Sequence, residues 1–229
     1  MSPDTIVASW TLAEEQFADD GYRGRTTADH FSITARDPGL FLTAVHGVKH
    51  QRGSTIKEED QGTGGLVVAL GDARGWSTAV VLREIERHDA NHNERHPLKR
   101  ALEARPVPLA GGIVIDVHGM AGRHRLDISI GLGDLRSRSQ EVGEQLASAF
   151  EDHSLSVDLG AEQTGFRGRS RGSMTAWAQA RGWSAVQVEI APHLRNRSAA
   201  EPERQALVEA FGAGLAAASA LRSSEGTLS

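Results

Sequence analysis

Two histidines, His46 and His118, each close an apolar run and each precede a glycine, in "LFLTAVHG" at 40–47 and "IVIDVHG" at 113–119. A neutral imidazole at a strand end can offer a ring nitrogen to a divalent metal. The glycine after it is expected to let the backbone turn away without a Cβ blocking the approach. Asp116 stands two residues before His118, so in an extended strand the two side chains leave the same face and the carboxylate can orient the imidazole. A hydrolytic metal held by two histidines calls for an oxygen ligand as well. The acids that follow His46 are Glu58, Glu59 and Asp60, and His50 is a competing nitrogen ligand.

The other half of such chemistry is a base. Glu189 ends the apolar run "AVQVEI", where partial desolvation would raise a carboxylate pKa towards the range useful for proton transfer. An oxyanion or a substrate carboxylate calls for a planar fork donor. Arg83 ends "TAVVLR", Arg52 lies in the loop after His46, Arg195 follows Glu189, and "FRGRSRG" adds Arg167, Arg169 and Arg171. Together these residues suit metal-assisted hydrolysis of a C–N bond.

Composition narrows the choice. The chain has 229 residues and no cysteine, which excludes disulfides, thiolate nucleophiles and cysteine-ligated zinc and leaves a metal to His, Asp and Glu. A net charge of −5 argues against nucleic acid as a partner. No stretch approaches the roughly 20 apolar residues that span a bilayer, and the first residues lack a basic segment followed by an apolar one. No membrane partner and a cytoplasmic location are therefore expected; nothing fixes the oligomeric state.

The elements that must position these residues follow from periodicity. Strands are expected at 30–35, 40–46, 77–84, 112–118, 126–132, 155–160 and 184–190, several of them apolar without interruption, as in sheets covered on both faces. Helices are expected at 60–74, weakened by glycine, at 137–152, with Ser137 and Gln140 as a capping box over Val142, Leu146 and Phe150, and near the end, with Ser198 and Glu201 as a second box. Polar residues concentrate in loops 47–62, 85–108, 119–125 and 161–175, and Trp76, Trp177 and Trp183 are read as core. The expected architecture is a single α/β domain over 1–229, with its core at about 28–220, a mostly parallel or mixed central sheet and helices on both faces.

The order of motifs resembles the N-formylglutamate amidohydrolase family, within the zinc-carboxypeptidase-like fold shared with poly-γ-glutamate hydrolases and aspartoacylases. The resemblance rests on "VHG" at 45–47, "KEEDQGT" at 57–63, Arg83 with "HDAN" at 88–91, "DVHGM" at 116–120 and "AVQVEIAPHLR" at 185–195. It implies one Zn(II) per chain held by His46, Asp60 and His118, Glu189 as the catalytic carboxylate, and Arg83 and Asn91 flanking a pocket for an N-acyl amino acid or short peptide. Carboxypeptidases and aspartoacylases take their first two ligands from H-x-x-E, but Lys49 stands three residues after His46, so the oxygen ligand must come from further on. The alternatives kept open are cleavage of γ-glutamyl or other small peptides on the same site, and a non-catalytic protein that binds a small anion. Elemental mass spectrometry is expected to find about one zinc per chain, lost in His118→Ala; no metal after dialysis against zinc would remove the hydrolase mechanism.

Overall fold

In the computed structural model the described residues are 1–24, 29–37, 39–85, 88–105, 112–134 and 137–223. The strands are β1 (Phe31–Thr34), β2 (Leu40–Ala44), β3 (His50–Arg52), β4 (Thr55–Lys57), β5 (Ser77–Val81), β6 (Ile113–Gly119), β7 (Ile128–Gly131), β8 (Val157–Leu159) and β9 (Ser184–Ile190). Among the described residues, seven of them form one sheet in the order β1-β5-β2-β6-β9-β7-β8, while β3 and β4 pair with each other as a small hairpin. The central strands β5, β2, β6 and β9 run parallel; β1 and β7 run antiparallel to β5 and β9, and β8 is parallel to β7. All seven expected strands are in this mixed sheet. Strands β2, β5 and β9 are buried at every residue, which accounts for their uninterrupted apolar runs.

The helices are α1 (Pro3–Ala18), α2 (Thr63–Arg74), α3 (Pro97–Glu103), α4 (Ser137–Asp152), α5 (Met174–Gln179), α6 (Pro192–Arg195) and α7 (Glu201–Ser223). Helix α2 packs on β2, β5 and β6, α4 packs on β7, β8 and β9, and α5 packs on β6 and β9; α7 lies against α4, and α1 against α2 and α7. Val142, Leu146 and Phe150 are buried as their spacing predicts, with the Phe150 ring edge-on to Phe211 of α7. The Ser137 side chain, expected as a cap, lies outside the described residues. Helix α7 starts at Glu201 rather than from a Ser198 cap: Pro202 occupies its first turn, where a missing N–H costs nothing, and the Ala199 amide closes a turn onto the Asn196 carbonyl ahead of it. Trp76, Trp177 and Trp183 are core, and no helix among the described residues is long and apolar enough to cross a membrane.

The core is expected to begin near residue 28, yet α1 lies ahead of it and buries Ile6, Trp10 and Phe17 almost completely. Helix α1 also explains the glycines of α2. The Glu14 carboxylate accepts from the amides of Gly62, at 2.7 Å, and Gly65, at 2.8 Å, which caps the start of α2. The Trp10 indole donates to the Gly62 carbonyl at 2.7 Å, and a Cβ on Gly64 would lie 2.6 Å from the Phe17 ring. What reads as a helix-weakening "GTGG" is the space α1 occupies, and its hold fixes the loop that carries Asp60. Phe17→Ala is expected to cost about 3–5 kcal/mol, read as a lowered midpoint in urea; an unmoved midpoint would mean that α1 does not support the fold.

Candidate metal centre

Three parallel strands deliver the site. Strand β2 runs into Val45 and His46, β6 carries Asp116 and His118, and β9 carries Gln187 and Glu189. In their register Thr43 stands opposite Asp116, Asp116 opposite Gln187, and His118 opposite Glu189. Side chains paired in this way share a face, so the period-two alternation of D-x-H and Q-x-E becomes two adjacent polar rows. Thr43 Oγ1 donates to Asp116 Oδ1 at 2.7 Å, and Gln187 Nε2 donates to Glu189 Oε1 at 2.6 Å.

His46 and His118 both turn Nδ1 towards one oxygen, Asp60 Oδ2, at 3.5 and 3.0 Å. One ligand atom from each of the three residues lies within 4.8 Å of the others, and all three are buried. The far nitrogen of each ring is held by its own carboxylate: His118 Nε2 lies 2.9 Å from Asp116 Oδ2, and His46 Nε2 lies 2.8 Å from Asp89 Oδ1. With a proton kept on Nε2, release of the Nδ1 protons would leave both Nδ1 lone pairs converging beside a carboxylate oxygen, the donor set of a divalent ion such as zinc. The Asp60 amide donates to the His46 carbonyl at 2.8 Å, tying the two ligand loops together.

Burial alone would raise the Asp60 pKa, but the hydrogen bonds from His118 and His46 outweigh it and hold the carboxyl well below its usual range. Asp89 is likewise held low, by His46 above all, against its own burial. Burial would lower His118; the charge and hydrogen bond of Asp116 and the hydrogen bond of Asp60 reverse this and raise it well above an ordinary imidazole. Glu189 goes the other way: burial pushes it up, and the pull of His118 only partly offsets that. Glu189 is thus set apart from Asp60 and Asp89 as a proton acceptor.

Of the candidate oxygen ligands, Asp60 is the one at the histidines. Glu58 and Glu59 turn to Lys49 at 2.9 and 3.8 Å. His50 is fixed by Nε2 to the Val45 carbonyl at 2.8 Å, and burial pushes its pKa down to about 4. Asn91 sits at the site, with Nδ2 3.4 Å from His118 Nε2 and its Oδ1 accepting from the Met174 amide. Arg52 also reaches it, but through Asp89, to which Nε donates, with Nη2 3.4 Å from His46 Nε2. The Arg83 guanidinium lies 3.1 Å from His30 Nε2, on the β1 side of the sheet. Arg195, expected at the substrate, is a buried strut instead: it donates to the carbonyls of Ile190, Gln61 and Met120 and so joins the ends of β9 and β6 to the Asp60 loop. The role read for the two glycines changes with it. A Cβ on Gly119 would lie 2.3 Å from Arg195 Cζ and one on Gly47 3.0 Å from the Phe17 ring, so both glycines make room for packing.

Three residues of the site escaped sequence reasoning: Asp89, Lys57 and Gln187. Asp89 stands in the quoted "HDAN", Lys57 opens "KEED", and Gln187 repeats two residues before Glu189 the spacing that Asp116 has before His118. That last signal was available; the first two depend on where loops fold. Beside the centre lie two cavities, one of about 780 Å³ with Arg52, Asp89, His92 and Arg171 on its walls, the other of about 370 Å³ with Asn91, Arg167, Arg169 and Gln187.

Mixed sheet, strand order and strand-end site together define the α/β fold expected from the resemblance. Solved structures share it. N-formylglutamate amidohydrolase from Ralstonia eutropha is 13% identical, with 84% of this chain and 100% of that one covered at a TM-score of 0.56. A bacteriophage poly-γ-glutamate hydrolase is 14% identical over 88% of this chain and 91% of that one, at 0.52, and a gene product from Agrobacterium tumefaciens is 16% identical over 85% and 96%, at 0.56. At these identities the likeness is one of fold. No family model matches the chain, and no curated protein matches it either. Asp89→Asn is expected to weaken metal binding by about 10–100-fold in a chelator competition; unchanged affinity would mean that the His46–Asp89 contact does not support the ligand.

Proposed function

We propose that the chain is a metal-dependent hydrolase of C–N bonds, an amidohydrolase acting on an N-acyl amino acid of the N-formylglutamate kind, with one zinc ion per chain held by His46, Asp60 and His118. The observation that carries this reading is the buried Glu189 carboxylate, in register with His118 on the neighbouring strand. A divalent ion held by these residues supplies Lewis acidity, which acidifies a water and polarises the scissile carbonyl. Glu189 takes the proton of the attacking water and passes it to the leaving nitrogen. Gln187 occupies Oε1 of that carboxylate, which leaves Oε2 to exchange the proton. Asp116 and Asp89 keep the imidazoles in one tautomer throughout, and Asn91 orients the substrate beside His118. The developing oxyanion is met by Arg52 rather than Arg83, because Arg52 reaches the His46 ring whereas the Arg83 guanidinium lies against His30.

A second reading, cleavage of γ-glutamyl or other small peptides at the same site, is favoured by the arginines along both cavities, which suit an extended anionic chain. Metal-loaded protein incubated with N-formyl and other N-acyl amino acids, beside α- and γ-linked dipeptides, separates the two by which substrate releases free amine. Ligand binding in calorimetry without turnover of either class would overturn the hydrolase and favour a small-anion-binding protein. Glu189→Gln is expected to keep its metal and lose turnover by about 10²–10⁴-fold; an unaltered rate would take the proton transfer away from Glu189.

A further inference from the structure

The ligand carboxylate has two oxygens, and the second is taken. Asp60 Oδ1 accepts from Lys57 Nζ at 2.6 Å, while Oδ2 is the oxygen that faces both histidines. The ammonium also donates to the Glu58 carbonyl at 2.6 Å, so it is fixed from two sides. Its hairpin is fixed as well: Lys57 is paired across the strands with His50, which is buried and bonded to the Val45 carbonyl next to His46. Asp60 has little freedom of its own. Its amide is bound to the His46 carbonyl, and its carbonyl accepts from both the amide and the hydroxyl of Thr63. A rotation bringing both carboxylate oxygens onto one ion would have to break the contact between the buried Asp60 carboxylate and the half-buried Lys57 ammonium.

Resting on the reading of this group as a metal centre, we infer that Lys57 is a positioning residue that restricts Asp60 to one ligand oxygen and offsets part of its charge. Two consequences follow. A monodentate carboxylate leaves coordination positions open for water and substrate, as catalytic sites require and closed structural sites do not. A fixed cation beside the ligand also makes the carboxylate a weaker donor, the reverse of what Asp89 and Asp116 do for the histidines. Removing the charge should therefore tighten metal binding while filling the open position.

The test compares wild type, Lys57→Met, Lys57→Arg and His118→Ala by chelator competition for zinc and by the visible spectrum of the cobalt(II)-loaded protein, with a thermal melt to establish that each variant is folded. Lys57→Met is expected to bind zinc more tightly, on the order of tenfold, and to show weaker cobalt bands as a second Asp60 oxygen raises the coordination number. Lys57→Arg, which keeps the cation, should stay near wild type. Equal or weaker affinity in a folded Lys57→Met with an unchanged cobalt spectrum would overturn the role of Lys57 while leaving the metal centre in place. A wild type that binds no metal, or a His118→Ala that binds it equally well, would overturn the metal-centre reading itself and the lysine's role with it.

Discussion

Everything at this site depends on one electrostatic constraint. Asp60, Asp89, Asp116, Glu189, His46 and His118 are all buried, and none of these groups can leave water at tolerable cost unless the others meet it. The sheet register meets that demand first, by lining Thr43, Asp116 and Gln187 across three strands and setting His118 beside Glu189. Loops supply what the sheet cannot: Asp60 between the two imidazoles, and Asp89 behind His46. The result is a set of pairs in which the histidines are turned the same way and Glu189, among the described residues, has the Gln187 amide as its hydrogen-bond partner. The chemical asymmetry that the proposed hydrolysis requires is thus a by-product of how the burial is satisfied.

The loops are held by parts of the molecule with no chemistry of their own. Arg195 spends its guanidinium on three carbonyls, locking the ends of β6 and β9 to the segment before α2. Glu14 caps α2 from the far side. Between these two anchors the backbone from Gln61 to Gly65 has little room to shift, and Asp60 is carried with it. The hairpin of β3 and β4 adds two cations, Arg52 on Asp89 and Lys57 on Asp60, so a short segment after His46 adjusts both carboxylates that flank that histidine.

The sheet was legible in the sequence because its strands are buried and their apolar runs are unbroken; all seven were placed to within a few residues. His46, Asp116, His118 and Glu189 stand out for the same reason, as polar residues within or closing apolar runs, and the fold brings the four of them together. Asp60 could be singled out from Glu58 and Glu59 only through the resemblance, because adjacent acids in a loop carry no periodicity. Arg195 misled for a related reason: an arginine after a strand suits a substrate as well as it suits three carbonyls, and only the fold tells which. Helix α1 was invisible because its partners, the glycines of α2, lie almost fifty residues further along the chain, and a glycine looks the same in sequence whether it bends the backbone or makes room for a neighbour.

The position of α1 also bears on how the chain reaches this state. Its buried face rests on α2 and on α7, where the Arg204 guanidinium lies 4.0 Å from the centre of the Trp10 ring and Nη1 donates to Thr11. Trp10 and Phe17 leave the ribosome well before α7, the helix that completes their cover. Before α7 emerges these aromatic side chains have no finished surface to dock on, and contacts of such long sequence separation form slowly. Until α7 is made, the nascent chain therefore presents a short hydrophobic handle, a natural target for chaperones that recognise exposed apolar segments.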